Sequence, residues 1–328
     1  MRDEGKFGRR FAFFCLLTCA FCLGAASSHA QDYPAKPLRI VVPLAPGGGN
    51  DTTARLIGAR LAASMGQPVI VENRPGAAGV IASEIVAKAP ADGYTLYLVS
   101  TSFTSAPALV RKLPYDPVND FAPVTRLAVV PGALIVHASL PVRSVKEFLA
   151  LARARPKEIT FGSAGIGSGS HFGGELFKIH ARVDITHVPY KGSALVTTAL
   201  LSGEVTCAFT NPISSAPHVK AGRIRNLGVG SSERWPLFPE YPTIAESGVK
   251  GYEQLIWNGI SVRTGTPPVI VERLHAQLVK AAALPEVVKH MAADGSRPMT
   301  QGPADFGAFI RAEIAKWVRV ADAGGVQR

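Results

Sequence analysis

Three consecutive glycines, Gly47-Gly48-Gly49, stand between a run of β-branched residues and an amphipathic stretch, and this junction constrains the fold more than any other feature. Residues 38–42 read as a buried strand. From Asp51 onward, Ala54, Ile57, Leu61 and Met65 share one helical face, with Asp51 expected as the N-cap and Gly66 as the stop. Such a turn bares backbone N–H groups where the helix dipole is positive, which suits a small anion. A tight strand-to-helix connection calls for glycine on geometric grounds alone, and Gly48 is expected at a position with positive φ.

The arrangement recurs along the chain. Residues 159–161 read as a strand running into the glycine- and serine-rich loop 162–171, and the helix beyond carries Phe172, Leu176 and Ile179. Further strands are expected at 68–72, 94–99, 129–137, 185–188, 205–209 and 224–229. Helices alternate with them: one bearing Ile81, Ile85 and Val86, one opened by a Ser144/Glu147 capping box, one at 193–202, and two closing the chain at 268–283 and 304–321. Strand–helix alternation predicts an α/β fold with mostly parallel, helix-flanked sheets. About 300 residues exceed one ordinary hydrophobic core, so two lobes are expected.

Residues 1–30 read as an export signal. Lys6, Arg9 and Arg10 precede the apolar run 11–23, and Ser28-His29-Ala30 offers a small-x-small cleavage site before Gln31. The run is too short to span a bilayer. Thr18 before Cys19 and Phe21 before Cys22 do not suit lipid attachment. The mature chain is therefore expected in the periplasm. It would retain Cys207 alone, in an apolar run, as a buried inert thiol. Loss of four basic and two acidic side chains lowers the formal net charge from +11 to +9. The basic residues are scattered and not interleaved with aromatics, which argues against nucleic acid and favours the steering of small anions.

Most catalytic chemistries lack their residues here. Gly165-x-Gly167 has no third glycine and no following acid for a dinucleotide fingerprint, and no Gly-Lys-Ser/Thr follows the first glycine run. Neither Ser163 nor Ser168 sits in Gly-x-Ser-x-Gly, and no nucleophile–base pair is evident from spacing. His137, His171, His180, His187, His218, His275 and His290 form no His-x-x-x-His pair, so no metal or other cofactor is expected. What remains are two glycine-rich turns, hydroxyl-rich loops, and Tyr190-Lys191-Gly192 after a strand. Such parts bind anions without transforming them.

These residues resemble the Bug receptors, the extracytoplasmic solute-binding components of tripartite tricarboxylate transporters. The resemblance covers the mature chain. It rests on Pro46-Gly47-Gly48-x-x-Asp51-x-x-Ala54-Arg55, Glu72-Asn73-Arg74-Pro75-Gly76-Ala77-x-Gly79, Asp92-Gly93-Tyr94-Thr95-Leu96, Ser163-Ala164-Gly165-x-Gly167-Ser168-x-x-His171, Val188-Pro189-Tyr190-Lys191-Gly192, Pro217-His218-Val219-Lys220-Ala221-Gly222 and Gly265-Thr266-Pro267-Pro268. It implies a two-lobed periplasmic binding protein with a ligand cleft between lobes. Lobe 1 would comprise 31–131 plus 254–328, and lobe 2 would comprise 132–253, with hinges where the chain crosses.

By the same resemblance, Pro46, Gly47, Gly48 and Asp51 line one wall with Ser100, Thr101 and Ser102, and Ser163, Ala164, Gly165, Ser168 and His171 line the other. Tyr190, Lys191 and Gly192 lie nearby, as do Thr210 and Asn211. Thr210-Asn211 departs from the family's Asp-Asn, removing a partner for a ligand amine and favouring a plain acid. The implied ligand is a small carboxylate. The implied partners are integral-membrane transporter components or, in a sensing role, a histidine kinase. The receptor is expected to be a monomer, and a hydrolase or lyase ranks last.

Overall fold

The computed structural model describes residues 33–324. The expected export signal lies outside the described residues. The chain opens with β1 (Leu38–Val42), α1 (Gly49–Met65), β2 (Val69–Asn73), a short 3-10 turn (Ala77–Gly79), α2 (Val80–Ala87), β3 (Thr95–Ser100) and α3 (Thr101–Leu109). It continues through β4 (Phe121–Pro131), β5 (Ala133–His137), α4 (Val145–Ala154), β6 (Thr160–Ser163), α5 (Gly169–Ala181), β7 (Thr186–Pro189), α6 (Ser193–Ser202), β8 (Cys207–Thr210), α7 (Pro212–Lys220) and β9 (Ile224–Val229). It closes with β10 (Leu255–Arg263), α8 (Pro268–Ala282), α9 (Pro285–Ala293), β11 (Arg297–Pro298) and α10 (Pro303–Gly324).

The strands form two sheets, ordered β11-β4-β10-β3-β1-β2 and β7-β6-β8-β5-β9. The parallel units are those joined by helices: β1 with β2 and β3, and β6 with β7 and β8. The sheets as wholes are mixed rather than mostly parallel, because β10 runs antiparallel to β3 and β4, and β5 runs antiparallel to β8 and β9. The chain leaves the first sheet along β4 and returns along β10, so these neighbours must point in opposite directions. Period-3.6 and period-2 patterns identify elements but carry no sign for strand direction.

The single strand expected at 129–137 is two strands in different sheets, broken at Gly132. A Cβ on Gly132 would lie 1.6 Å from the carboxamide oxygen of Gln254, so the Gln254 side chain occupies the space that any larger residue here would need. Three backbone bonds knit this crossing: Gly132 N–H to Gln254 O at 3.1 Å, Gly230 N–H to Gly132 O at 2.7 Å, and Gln254 N–H to Gly230 O at 2.7 Å.

Other expectations hold with local changes. Ala54, Ile57 and Leu61 are fully buried along α1, and Gly66 ends it at φ 72°. Ser144 caps α4 by accepting the Glu147 N–H at 3.2 Å, while the Glu147 carboxylate accepts from the Arg143 N–H at 2.6 Å instead of from Ser144. Cys207 is buried, and burial pushes its thiol pKa up. No helix among the described residues is long and apolar enough to cross a membrane.

The last helix joins the two sheets. Phe306 and Ile310 pack with Tyr97, Phe103 and Trp257 over the first sheet. Trp317, Val320 and Ala321 pack with Phe172, Phe177 and Phe209 in the core of the second. Between them, buried Glu313 accepts the indole N–H groups of Trp257 and Trp317, each at 3.1 Å, and pairs with Lys316 at 2.6 Å.

Candidate functional site

The first wall begins at α1. Gly48 is its N-cap, at φ −82°, and no side chain caps the helix. The positive φ falls one residue earlier, at Gly47 (81°), which corrects the expectation for Gly48. Asp51 lies in the first turn rather than at the cap. Its carboxylate accepts the Gly47 N–H at 2.9 Å and the Arg55 Nε–H at 3.0 Å, a choice open to it because it sits one turn before Arg55. Burial works to raise its pKa, but the bonds from Arg55, Gly47 and Asn73 outweigh that and hold it below the usual carboxylate range. Its charge is thus committed within the turn, while Pro46, Gly47 and Gly48 are exposed.

A second helix start was missed by sequence reasoning. Ser100-Thr101-Ser102, expected as a loop, is the end of β3 and the first turn of α3. The available signal was a serine followed by apolar residues at helical spacing, Phe103 and Ala106; the brevity of the segment and Pro107 concealed it. Ser100 and Ser102 share a hydroxyl–hydroxyl bond of 3.0 Å. Asn258 on β10 stands opposite Ser100 and donates to Thr53 Oγ1 at 3.2 Å, tying the first turn of α1 to the start of α3.

The second wall is the loop from β6 into α5. Ser168 is the N-cap of α5, accepting the His171 N–H at 3.2 Å. Ser170 Oγ instead accepts the Ala164 N–H at 2.9 Å. Ser163 Oγ lies 2.6 Å from His187 Nε2 and accepts the Gly165 N–H at 3.2 Å. The structure therefore brings together a hydroxyl–imidazole pair that spacing did not reveal. Ser163 is fully buried, and its oxygen is engaged by Gly165, so it serves the loop's shape and not nucleophilic attack.

The two walls touch. Ser105 Oγ on α3 donates to Gly167 O at 2.8 Å. Gln254 Nε2 donates to Gly169 O at 3.0 Å, carrying the crossing segment to the start of α5. Among the described residues, Asn50 Nδ2, Thr101 Oγ1 and Gln254 Oε1 are buried without a hydrogen-bond partner. Gly192 N–H bonds to Ala164 O at 3.2 Å, so that turn supports the second wall. Tyr190 directs its hydroxyl to Glu204 at 2.9 Å, and Lys191 is exposed. Asn211 donates to Asp294 O at 2.8 Å, linking the end of β8 to the segment after α9, and Thr210 is buried. A separate cavity of about 200 Å³, lined by Phe103, Phe121, Ile310 and Arg311, shares no residue with either glycine-rich turn.

His171 and His187 stack at 4.1 Å between ring centroids, with Phe161 stacked against His187 at 4.8 Å. Burial, then His187 and Lys178, pull the His171 pKa down to about 3. Burial and Lys178 pull His187 down to about 4. Both rings are therefore neutral when folded, whereas an unfolded histidine titrates near 6.5. Between pH 6.5 and 4 the unfolded chain binds more protons, so stability falls as the solution is acidified through that window. Urea titrations should show a loss of about 3 kcal/mol for each of the two rings across it. His187→Gln should shrink that loss, and an undiminished loss in this variant would count against the assignment.

Two mixed sheets joined by crossing strands, with helix starts meeting at the junction, define a periplasmic-type binding protein. The chain matches the tripartite tricarboxylate transporter family receptor over residues 53–326, and it belongs to that family of Bug-type receptors. It is thus a solute receptor, whose family implies membrane transporter components, and not an enzyme. It is 36% identical to protein BugT of Bordetella pertussis over 92% of this chain and 94% of the relative. Among solved structures it resembles R. palustris Rpa4515 with adipate at 41% identity and TM-score 0.82, covering 90% of this chain and 99% of that one. It also resembles MatC (Rpa3494) from Rhodopseudomonas palustris with bound malate, at 32% identity and TM-score 0.80, covering 88% and 100%.

Proposed function

We propose that this receptor captures a small carboxylate between its lobes and delivers it, outside the cytoplasm, to the membrane components of a tripartite transporter. The lobes are assigned to residues 31–131 plus 254–328 and to 132–253, with the end of α10 reaching across to pack on the second. Residues 1–30 are assigned to export, and the receptor acts as a monomer. Transport rather than signalling to a kinase is the role its family favours.

The observation that carries this reading is the meeting of helix starts whose buried donors, Asn50 Nδ2 and Thr101 Oγ1, lack partners among the described residues. A helix start offers N–H groups beyond its own ladder together with a positive dipole end. An anion answers both. Asp51 does not oppose it, because Arg55 and the Gly47 N–H take up its charge. The adipate and malate in the two similar structures support an acid of this size. Thr210, where the family commonly carries an acid, favours plain acids over amino acids.

Thermal shift across mono-, di- and tricarboxylates, with aspartate and a neutral sugar as comparators, tests the reading. At about 100 times its dissociation constant a ligand stabilises by about 2.7 kcal/mol. A plain acid, adipate first, should give that shift. Stabilisation by the sugar alone would overturn the assignment.

A further inference from the structure

We propose that His187 is a positioning residue of the binding site, holding Ser163 so that the internally bonded loop keeps its shape and the N–H groups of Gly169 and Ser170, at the start of α5, stay aimed at a bound anion; this rests on the carboxylate reading above. His187 belongs to β7 and stands opposite Phe161 in the parallel ladder with β6. On a strand the side chains of Phe161 and Ser163 share a face. The His187 ring stacks on the first at 4.8 Å and meets the second at 2.6 Å through Nε2.

The contact matters because of what Ser163 does next. Its hydroxyl lies where β6 ends and the glycine-rich loop begins, and its oxygen accepts the Gly165 N–H at 3.2 Å. With that N–H donating, the serine proton has two acceptors, the neutral Nε2 of His187 at 2.6 Å and Gly165 O at 3.3 Å, and the shorter contact is the one to His187. Gly165 has φ 128° and no side chain to hold it by packing. Beyond it, Gly165 O accepts from Ser168 Oγ at 2.6 Å, and Ser168 caps α5 through the His171 N–H. A chain of bonds thus runs from His187 through Ser163, Gly165 and Ser168 to the first turn of α5.

His171 closes the other side. It stacks on His187 at 4.1 Å, and its Nδ1 accepts the Gly167 N–H at 3.3 Å. Two neutral imidazoles therefore hold two glycines of one loop, Gly165 indirectly and Gly167 directly. Lys178 on α5, salt-bridged to Glu175, is the charged group whose field reaches both rings. Burial first, and Lys178 after it, disfavours a proton on either ring and keeps the lone pairs available.

Two variants separate bonding from packing. His187→Phe keeps a ring for the stack and removes the nitrogen, while His187→Gln offers a polar group to Ser163 and removes the ring. Adipate titrations should show His187→Phe weakened about tenfold and His187→Gln within threefold of the parent, at pH 7. Ser163→Ala should be weakened similarly, and the double variant Ser163→Ala/His187→Phe should be no weaker than either single one. Hydrogen exchange without ligand provides a second readout: residues 163–170 should exchange faster in His187→Phe and unchanged in His187→Gln. A His187→Phe protein with parental affinity and exchange, or a double variant whose losses add, would overturn the proposal. If the parent binds no carboxylate, the functional reading falls, and the exchange comparison still decides whether His187 orders the loop.

Discussion

Trp317→Ala is expected to cost about 3–5 kcal/mol of unfolding free energy, the range for removing a large buried ring. Trp317 is fully buried on α10 and packs against Phe172 of α5 at 5.2 Å between ring centroids. Its indole N–H donates to Glu313 at 3.1 Å, the same oxygen that receives the Trp257 indole from β10. The substitution leaves a void in the second core and removes one of the donors that make burial of the Glu313 carboxylate tolerable. Trp317→Phe should lose less, since the ring volume is mostly kept. Urea denaturation followed by far-UV circular dichroism measures both. Equal losses for Phe and Ala would mean that the N–H, not the packing, carries the effect.

Gly48→Val should abolish carboxylate-dependent stabilisation, all of the roughly 2.7 kcal/mol expected at saturation, while changing the ligand-free protein by about 1 kcal/mol at most. The backbone at Gly48, φ −82° and ψ 168°, is open to valine, and a Cβ there meets nothing closer than Ala45 O at 3.7 Å. The new side chain therefore blocks approach to the start of α1 without straining the turn. At Gly47, φ 81° would confound the measurement with backbone strain. Lys191→Ala is the companion variant. Lys191 is exposed, and an exposed ion pair is worth ~0–1 kcal/mol, so its shift should persist. A full shift in Gly48→Val together with its loss in Lys191→Ala would replace the backbone-anion mechanism with a side-chain clamp.

What was legible in the sequence was local. The apolar periodicity of Ala54, Ile57 and Leu61 announced α1, Gly66 announced its end, and the two glycine-rich turns announced the starts of α1 and α5. These follow from steric and hydrogen-bonding rules that act over a few residues. Cap identity was less legible, because Asp51, Ser168 and Ser170 are all competent cap residues within one turn of each other. Which of them caps depends on what else competes for the oxygen: Arg55 and the Gly47 N–H take Asp51, and the Ala164 N–H takes Ser170.

Tertiary structure alone decided the rest. At Gly132, where 129–137 splits, the backbone bonds to Gln254 and Gly230, each about a hundred or more residues away. Asn258 reaches Thr53 across 205 residues, and Ser105 reaches Gly167 across 62. No periodicity encodes such meetings, since they arise only when two sheets are set side by side by the crossing strands. His187 illustrates the division well: from sequence it is one polar residue in a short strand, and only the pairing of β6 with β7 places its nitrogen against Ser163. By itself the sequence determined most of the strand–helix alternation and the two glycine-rich turns at which the anion site is proposed, because those depend on neighbouring residues; the short helices and the crossing strand β10 escaped it. Only the fold decided which groups face one another across the junction, because hydrogen bonds act at about 3 Å between residues that the chain separates by tens to hundreds of positions.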